Sequence, residues 1–205
     1  MASLRRYTNL AATISLLHAK QITLLNPATW DDKNDAYFMA EYKRLKGAKA
    51  VLALCFAERS ETYHHWRVFS HGADGVCIEF DKHRLLSTFN RDVCISMGSV
   101  TYRTVKQLRA SAINADQLPF LKRAPYKDEH EFRVIYTDRN DAAEYKRYDI
   151  ELDWIFRITL SPWMSVTLVD AVRKTLRSID GCSRVKIVRS TLVNNEKWKE
   201  ATSRL

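Results

Sequence analysis

The 205-residue chain is poor in the residues that interrupt or staple a fold, with five Gly, four Pro and four Cys. Gly and Pro are dispersed, and no Ser-, Gln- or Pro-rich stretch could serve as a flexible linker or disordered arm. There is no internal repeat. With 46% hydrophobic residues, residues 1–205 are expected to form one domain around one core. Cys55, Cys77, Cys94 and Cys182 are far apart, without a Cys-x-x-Cys pair, so neither a disulfide framework nor a zinc site is signalled. They read as buried thiols of a reducing compartment, which places the chain in the cytoplasm.

Long apolar runs are also missing. Val51–Phe56 and Ile158–Leu160 fall far below the roughly 20 residues that cross a bilayer, so no membrane span is expected. Arg5 and Arg6 ahead of residues 10–17 imitate a secretory signal, but Thr13, Ser15 and His18 interrupt the apolar part and the segment reads as an amphipathic helix. The absence of Gly-x-Gly-x-x-Gly, of a Walker loop and of Gly-x-Ser-x-Gly disfavours dinucleotide-fold dehydrogenases, P-loop enzymes and serine hydrolases.

What the chain has is positive charge, 33 Lys and Arg against 24 Asp and Glu. Residues 1–100 carry 13 basic and 10 acidic groups and residues 101–205 carry 20 and 14, so the surplus lies mainly in the second half. Such a surplus suits an anionic partner such as nucleic acid or a phosphate-bearing ligand; the bland alternative is a solvated basic surface.

Local signals predict mixed elements. Asn9 caps a helix over residues 10–19, a strand covers 21–25, and Asn26-Pro27 turns the chain. Helical spacing over 35–46 stops at Gly47, and 51–56 is a continuous apolar run typical of a buried strand. Ser60 and Glu61 open a helix that ends at His71-Gly72. A strand over 75–80 leads to a helix capped by Asp81, then to a strand over 93–102 and a helix over 104–118. Strands over 130–137 and 148–152 flank a turn-like 138–141 and suggest a hairpin. A strand over 155–160 precedes a helix over 163–179, started by Ser161-Pro162 and stopped by Gly181, and 185–188 is a last strand. Without strict βαβ alternation, the expected class is α+β, curved mixed or antiparallel sheets packed with helices.

Three segments carry a recognisable pattern. The first is Leu4-Arg5-Arg6-Tyr7-Thr8 with Leu24-Leu25-Asn26-Pro27 and Trp30-Asp31-Asp32. The second runs through Cys55-Phe56-Ala57-Glu58, Trp66-Arg67-Val68-Phe69 and Gly75-Val76-Cys77-Ile78-Glu79-Phe80. The third is residues 122–133, containing Glu129-His130-Glu131-Phe132-Arg133. In order and spacing they resemble the bacterial and phage-borne domain of unknown function 2971 family over about residues 4–191, although that family's Asn-Asp-Pro stands here as Asp31-Asp32-Lys33. Its layout is similar to that of ADP-ribosyltransferase-like proteins, in which an early basic residue, a middle aromatic or hydroxyl residue and a late glutamate converge on NAD.

The resemblance implies an NAD-consuming enzyme or toxin, with a role in phage–host conflict. Breaking the nicotinamide–ribose bond passes through an oxocarbenium-like state that a carboxylate stabilises. Glu131 is the candidate, assisted by Glu129, and in a strand these two would share one face with Arg133, a further candidate for binding the cofactor. The plain alternative is an exposed face carrying a weak Glu131–Arg133 ion pair. Arg6 is the candidate for the pyrophosphate, with Arg5 its rival, and Tyr7 and Thr8 would contact ribose or adenine. Tyr63, Trp66 and Phe69 form a stripe at three-residue spacing; core packing explains most such stripes, and the alternative is that Tyr63 or Trp66 stacks on nicotinamide or a base. His64, His65 and His71 lack partners at ligand spacing, so no metal is expected.

Two other functions compete. One is a nucleic-acid-binding or accessory protein of a defence system that uses the basic second half, nucleic acid or protein being also the natural acceptor for the enzyme. The other is a metal-dependent nuclease built on Asp31, Asp32, Asp35 and Glu58.

Overall fold

The computed structural model describes residues 2–70 and 72–202. Strand β1 (Ser3–Asn9) passes directly into helix α1 (Leu10–Ala19), because the Asn9 side chain accepts from the amide of Ala12 at 2.8 Å. After β2 (Gln21–Leu25) and a 3-10 turn at Pro27–Thr29, Asp32 caps α2 (Lys33–Lys46), which Gly47 closes at φ 59°. The apolar run becomes β3 (Ala50–Ala57), and Thr62 caps α3 (Tyr63–Phe69). Then follow β4 (Gly75–Asp81), α4 (Lys82–Ser87), β5 (Ile95–Ser99), β6 (Thr101–Arg103), α5 (Val105–Arg109) and β7 (Leu121–Arg123). The remainder is β8 (Glu131–Asp138), β9 (Tyr145–Asp149), β10 (Ile155–Leu160), α6 (Val166–Ser178), β11 (Ile187–Arg189) and α7 (Glu196–Thr202).

The architecture is mixed α+β, as expected. Strands β11, β10, β4, β1, β3, β2 and β9 lie in that order, with β8 and then β5 joined to β3. All these pairings are antiparallel except β10 with β11, and β6 and β7 make a separate parallel ribbon. One face of the large sheet buries Leu4, Leu24, Leu54, Phe56, Ile78 and Phe132 with Leu16 and Leu17 of α1. The opposite face packs Val51, Ala53 and Ile135 against Met39 and Tyr42 of α2. Alternation along β3 therefore serves two cores, which is why its sequence reads as uninterrupted apolar residues.

The feature that matters for function is a fork at β3. Strand β8 accompanies it along its whole length, from Ala50↔Asp138 to Ala57↔Glu131. Its other edge is shared: β2 meets it at Leu25↔Ala53 and β1 at Arg5↔Ala57. Between those two registers β1 and β2 diverge, and a cavity opens over Leu54, Cys55 and Phe56.

Several expected elements differ. The single helix over 104–118 is replaced by α5 and a 3-10 turn at Ala115–Phe120, because Thr104–Gln107 and Asn114–Gln117 each form a capping box and so start separate turns. The hairpin of 130–137 with 148–152 does not form. Both edges of β8 are taken by β3 and β5, so β9 pairs with β2 instead. Helix α6 begins later than Ser161-Pro162, since the Ser161 hydroxyl accepts from the Trp163 amide in a preceding turn. Of the helix end expected at His71-Gly72, His71 lies outside the described residues, and α3 stops at Phe69.

Candidate functional site

Beside the fork lies a buried ionic cluster. Arg133, with no exposed surface, donates Nε to Glu131 Oε1 at 2.9 Å and one Nη to Glu131 Oε2 at 2.8 Å. Its outer fork holds both oxygens of Asp35, and a further bond goes to the Pro119 carbonyl at 2.8 Å. Lys122 Nζ reaches Glu129 at 2.6 Å and Glu131 at 3.2 Å. Three carboxylates thus share two cations with little of their surface exposed, where such groups are retained only if mutually compensated.

The two glutamates leave this cluster with different proton affinities. Burial pushes Glu131 up, but Arg133 and Lys122 outweigh it and bring its pKa down to about 2. For Glu129 burial wins over Lys122, helped by the neighbouring charge of Glu131, and the pKa rises to about 7. Its Oε1 is buried without a hydrogen-bond partner and faces His64 Nε2, also unpartnered, at 3.7 Å. At neutral pH one carboxylate is a fixed anion and the other can give or take a proton, the division of labour that acid–base chemistry on a sugar requires. Burial works against the Lys122 ammonium, but Glu131, Glu129 and Asp35 raise its pKa and keep it charged. Beside Glu131 stands Cys55, whose thiol burial and Glu131 push well up, so it is neutral and a poor nucleophile.

Glu131 lines two cavities at once. One, at the fork, has about 180 Å³ and is bordered by Arg6, Tyr7, Trp30, Cys55 and Phe69. The other, of about 570 Å³, shares Trp30, Cys55, Phe69 and Glu131 with it and adds Asp35, Lys122 and Glu129. Together they form one cleft of the size that holds a cofactor-sized ligand. Arg6 lines the smaller of the two cavities. Burial lowers its pKa, and among the described residues its side chain forms no hydrogen bond or ion pair. Arg5, by contrast, is consumed by Glu79 across the β1–β4 pair. The strand alternation thus separates the two arginines, one paired and one waiting.

Other expected contacts fall elsewhere. Glu129 does not extend the strand with Glu131: it ends a 3-10 turn at Ala124–Glu129, and His130 follows at φ 43° before β8 begins. Lys122 nevertheless brings both carboxylates together. Arg133 has its donors spent on Asp35, Glu131 and Pro119, so it orients Glu131 and cannot receive a cofactor phosphate. Trp66 is fully buried, its Nε1 donating to Glu61 at 2.7 Å and its ring edge-on to Tyr7, so it offers no stacking face. Tyr63 is on the outer surface against Trp163 and Arg67 and borders neither cavity of the cleft. Thr8 lines a neighbouring groove of about 320 Å³ that touches the cleft through Arg6 and Leu25. The aromatic walls are instead Trp30 and Phe69. Trp30 also lies over the Arg133 guanidinium at 4.9 Å.

Three of the four acids of the nuclease alternative are engaged elsewhere. Asp32 caps α2, Asp35 binds Arg133, and Glu58 pairs with Lys82 at 2.7 Å and accepts from Ser99. Among the described residues no group of three or more His, Cys, Asp and Glu is disposed to hold a metal ion, and no helix is long and apolar enough to cross a membrane.

No curated protein matches the chain by sequence. Among solved structures, that of Thermus sp. 2.9 DarT in complex with carba-NAD+ aligns with a TM-score of 0.46 and 9% identity, covering 92% of this chain and 95% of that one. The family expected from the motifs is found by its own family model: residues 65–150, from α3 through β8 and β9, match the family described as Protein of unknown function (DUF2971).

Proposed function

We propose that this chain is an ADP-ribosyltransferase-like enzyme that cleaves NAD at the nicotinamide–ribose bond and passes ADP-ribose to an acceptor. The single observation that carries the reading is the pairing, in one cleft, of an unpartnered, half-buried arginine, Arg6, with an ionised buried carboxylate, Glu131. A half-buried guanidinium without a counter-ion is suited to a pyrophosphate. A fixed anion is suited to the positive charge that develops on ribose.

In this mechanism Arg6 holds the pyrophosphate, Tyr7 lines the wall beside it, and Trp30 and Phe69 offer apolar faces to a ring. The bond from ribose C1′ to the nicotinamide nitrogen breaks, and its electron pair leaves with neutral nicotinamide. Glu131, locked by Arg133 and Lys122, stabilises the oxocarbenium-like sugar. An acceptor oxygen or nitrogen then bonds to C1′, and its proton passes to Glu129. Nucleic acid is the acceptor class that the basic surface favours.

The test is release of nicotinamide and transfer of label from NAD labelled in its adenylate part, with DNA, RNA and protein offered in turn. The full chain should transfer label, and Glu131→Gln should lose at least about 100-fold in rate, the scale on which charge-stabilising groups act. Glu131→Gln also breaks a buried ion pair, so Arg6→Gln serves as a second variant. Removing a charge that no protein group pairs with spares the fold, and this variant should bind a non-cleavable NAD analogue at least tenfold more weakly. Absence of both turnover and analogue binding in the folded parent chain would overturn the reading.

A further inference from the structure

A second cavity, of about 340 Å³, lies on the far side of β1 from the groove beside α1, where β1, β4 and β10 run side by side. Cross-strand register puts Arg5, Glu79 and Arg157 in one row, and Arg189 enters from the end of β11. Glu79 is saturated: it accepts from Ser3, Arg5 and Arg157. The Arg189 guanidinium is fixed by a 2.6 Å bond from one Nη to the Pro162 carbonyl. In both Arg157 and Arg189, Nε is buried and has no hydrogen-bond partner. Two guanidinium planes are therefore held in place by protein acceptors, while the other Nη of each forms no hydrogen bond among the described residues. The other carboxylate of the cavity, Glu61, is occupied by Trp66 Nε1 and the Ser190 hydroxyl. Three arginines face two glutamates, and hydroxyls of Ser60 and Thr159 line the same space.

We propose that this cavity binds a phosphate group, as the free anion or as the monoester of a small molecule, through the guanidinium groups of Arg157 and Arg189. Arginine forks suit phosphate oxygens geometrically, and preset donors need no reordering when the anion arrives. The site is separate from the NAD cleft, with which it shares only Arg5, and does not depend on NAD being the substrate.

Calorimetric titration of the full chain decides the matter, with inorganic phosphate in one arm and ribose 5-phosphate in the other. An Arg6→Gln background removes the free cation of the main cleft. Saturable one-to-one binding is expected, weakened at least tenfold by the Arg157→Gln, Arg189→Gln double substitution. Arg189→Lys keeps the charge, lacks the planar donor fork, and should also weaken binding by several-fold with an unchanged melting profile. A stronger response to ribose 5-phosphate marks a monoester as the ligand, and equal responses mark the free anion. Lack of saturable binding, or affinity indifferent to the double substitution and to Arg189→Lys alike, refutes the site.

Discussion

Glu129 and Glu131 are two residues apart and share a lysine, yet their environments drive them in opposite directions, and stability should record it. Glu131 has a folded pKa of about 2, below its unfolded value, so its contribution is present above about pH 4.5 and is lost as the pH falls towards 2. Glu129 has a folded pKa of about 7, above its unfolded value. Between about pH 4.5 and 7 the folded state therefore holds more protons than the unfolded one, and this group costs stability as the pH rises through that window. The shift corresponds to roughly 3 kcal/mol at full deprotonation. Glu129→Gln should accordingly raise the melting temperature at pH 8 and change it little at pH 5. If the parent and the variant show parallel pH profiles, the assignment of a high pKa to Glu129 is wrong. The same substitution should erase the limb near pH 7 from the rate profile while leaving affinity for NAD nearly intact, which separates proton transfer from binding.

At the level of elements, local chemistry announced what local chemistry decides. Asn9, Gly47 and Asp81 mark helix ends that the structure keeps, because a cap or a left-handed stop acts within four residues. What could not be read was anything decided by a distant neighbour. The hairpin failed because β8 already had two partners, and Glu129 left the strand because the turn at Ala124–Glu129 carries it to Lys122. The candidate site was half visible: the motifs named Glu131 and Arg6, whereas Lys122 reaches Glu131 and Asp35 reaches Arg133 through contacts nine and 98 residues apart in sequence. The aromatic stripe on α3 misled because a 3.6-residue period says which face is buried but not which side chain reaches a cavity. Phe69 reaches it and Trp66 does not. The junction of α3 with β4 is correspondingly tight. A Cβ on Gly75 would lie 2.6 Å from the Ser70 hydroxyl and 2.8 Å from its Cβ. Since Ser70 is buried and bonded to the Trp66 carbonyl, it cannot swing aside freely. Gly75→Ala should cost about 1–3 kcal/mol in chemical unfolding, the usual penalty for overpacking, and should disturb Phe69 in the cleft. A variant as stable as the parent would mean that this junction is looser than its geometry implies.

At the scale of the whole molecule, the forked sheet gathers the site from β1, β3, β7 and β8 together with α2 and α3, so charge spread along the sequence becomes organised in space. The cluster spends Lys122 and Arg133 inwardly, but the ribbon that supplies Lys122 turns other cations outward. Arg103 and Arg123 are register partners on β6 and β7, both exposed, and Lys127 is exposed on the turn that leads to Glu129. None of these three makes an ion pair among the described residues. A polyanion lying along this ribbon would bring its nucleophiles to the larger cavity, where Tyr126 and Glu129 stand. Binding of a short DNA or RNA duplex should therefore weaken steeply with salt, with a slope of about 0.9 in log affinity per log salt for each phosphate contacted on DNA and somewhat less on RNA. The Arg103→Glu, Arg123→Glu double variant should lower that slope by roughly two and reduce affinity at low salt, with the melting temperature unchanged because both side chains are solvated. Equal slopes for parent and variant would move the nucleic-acid surface away from the ribbon and leave a protein or small molecule as the acceptor to pursue.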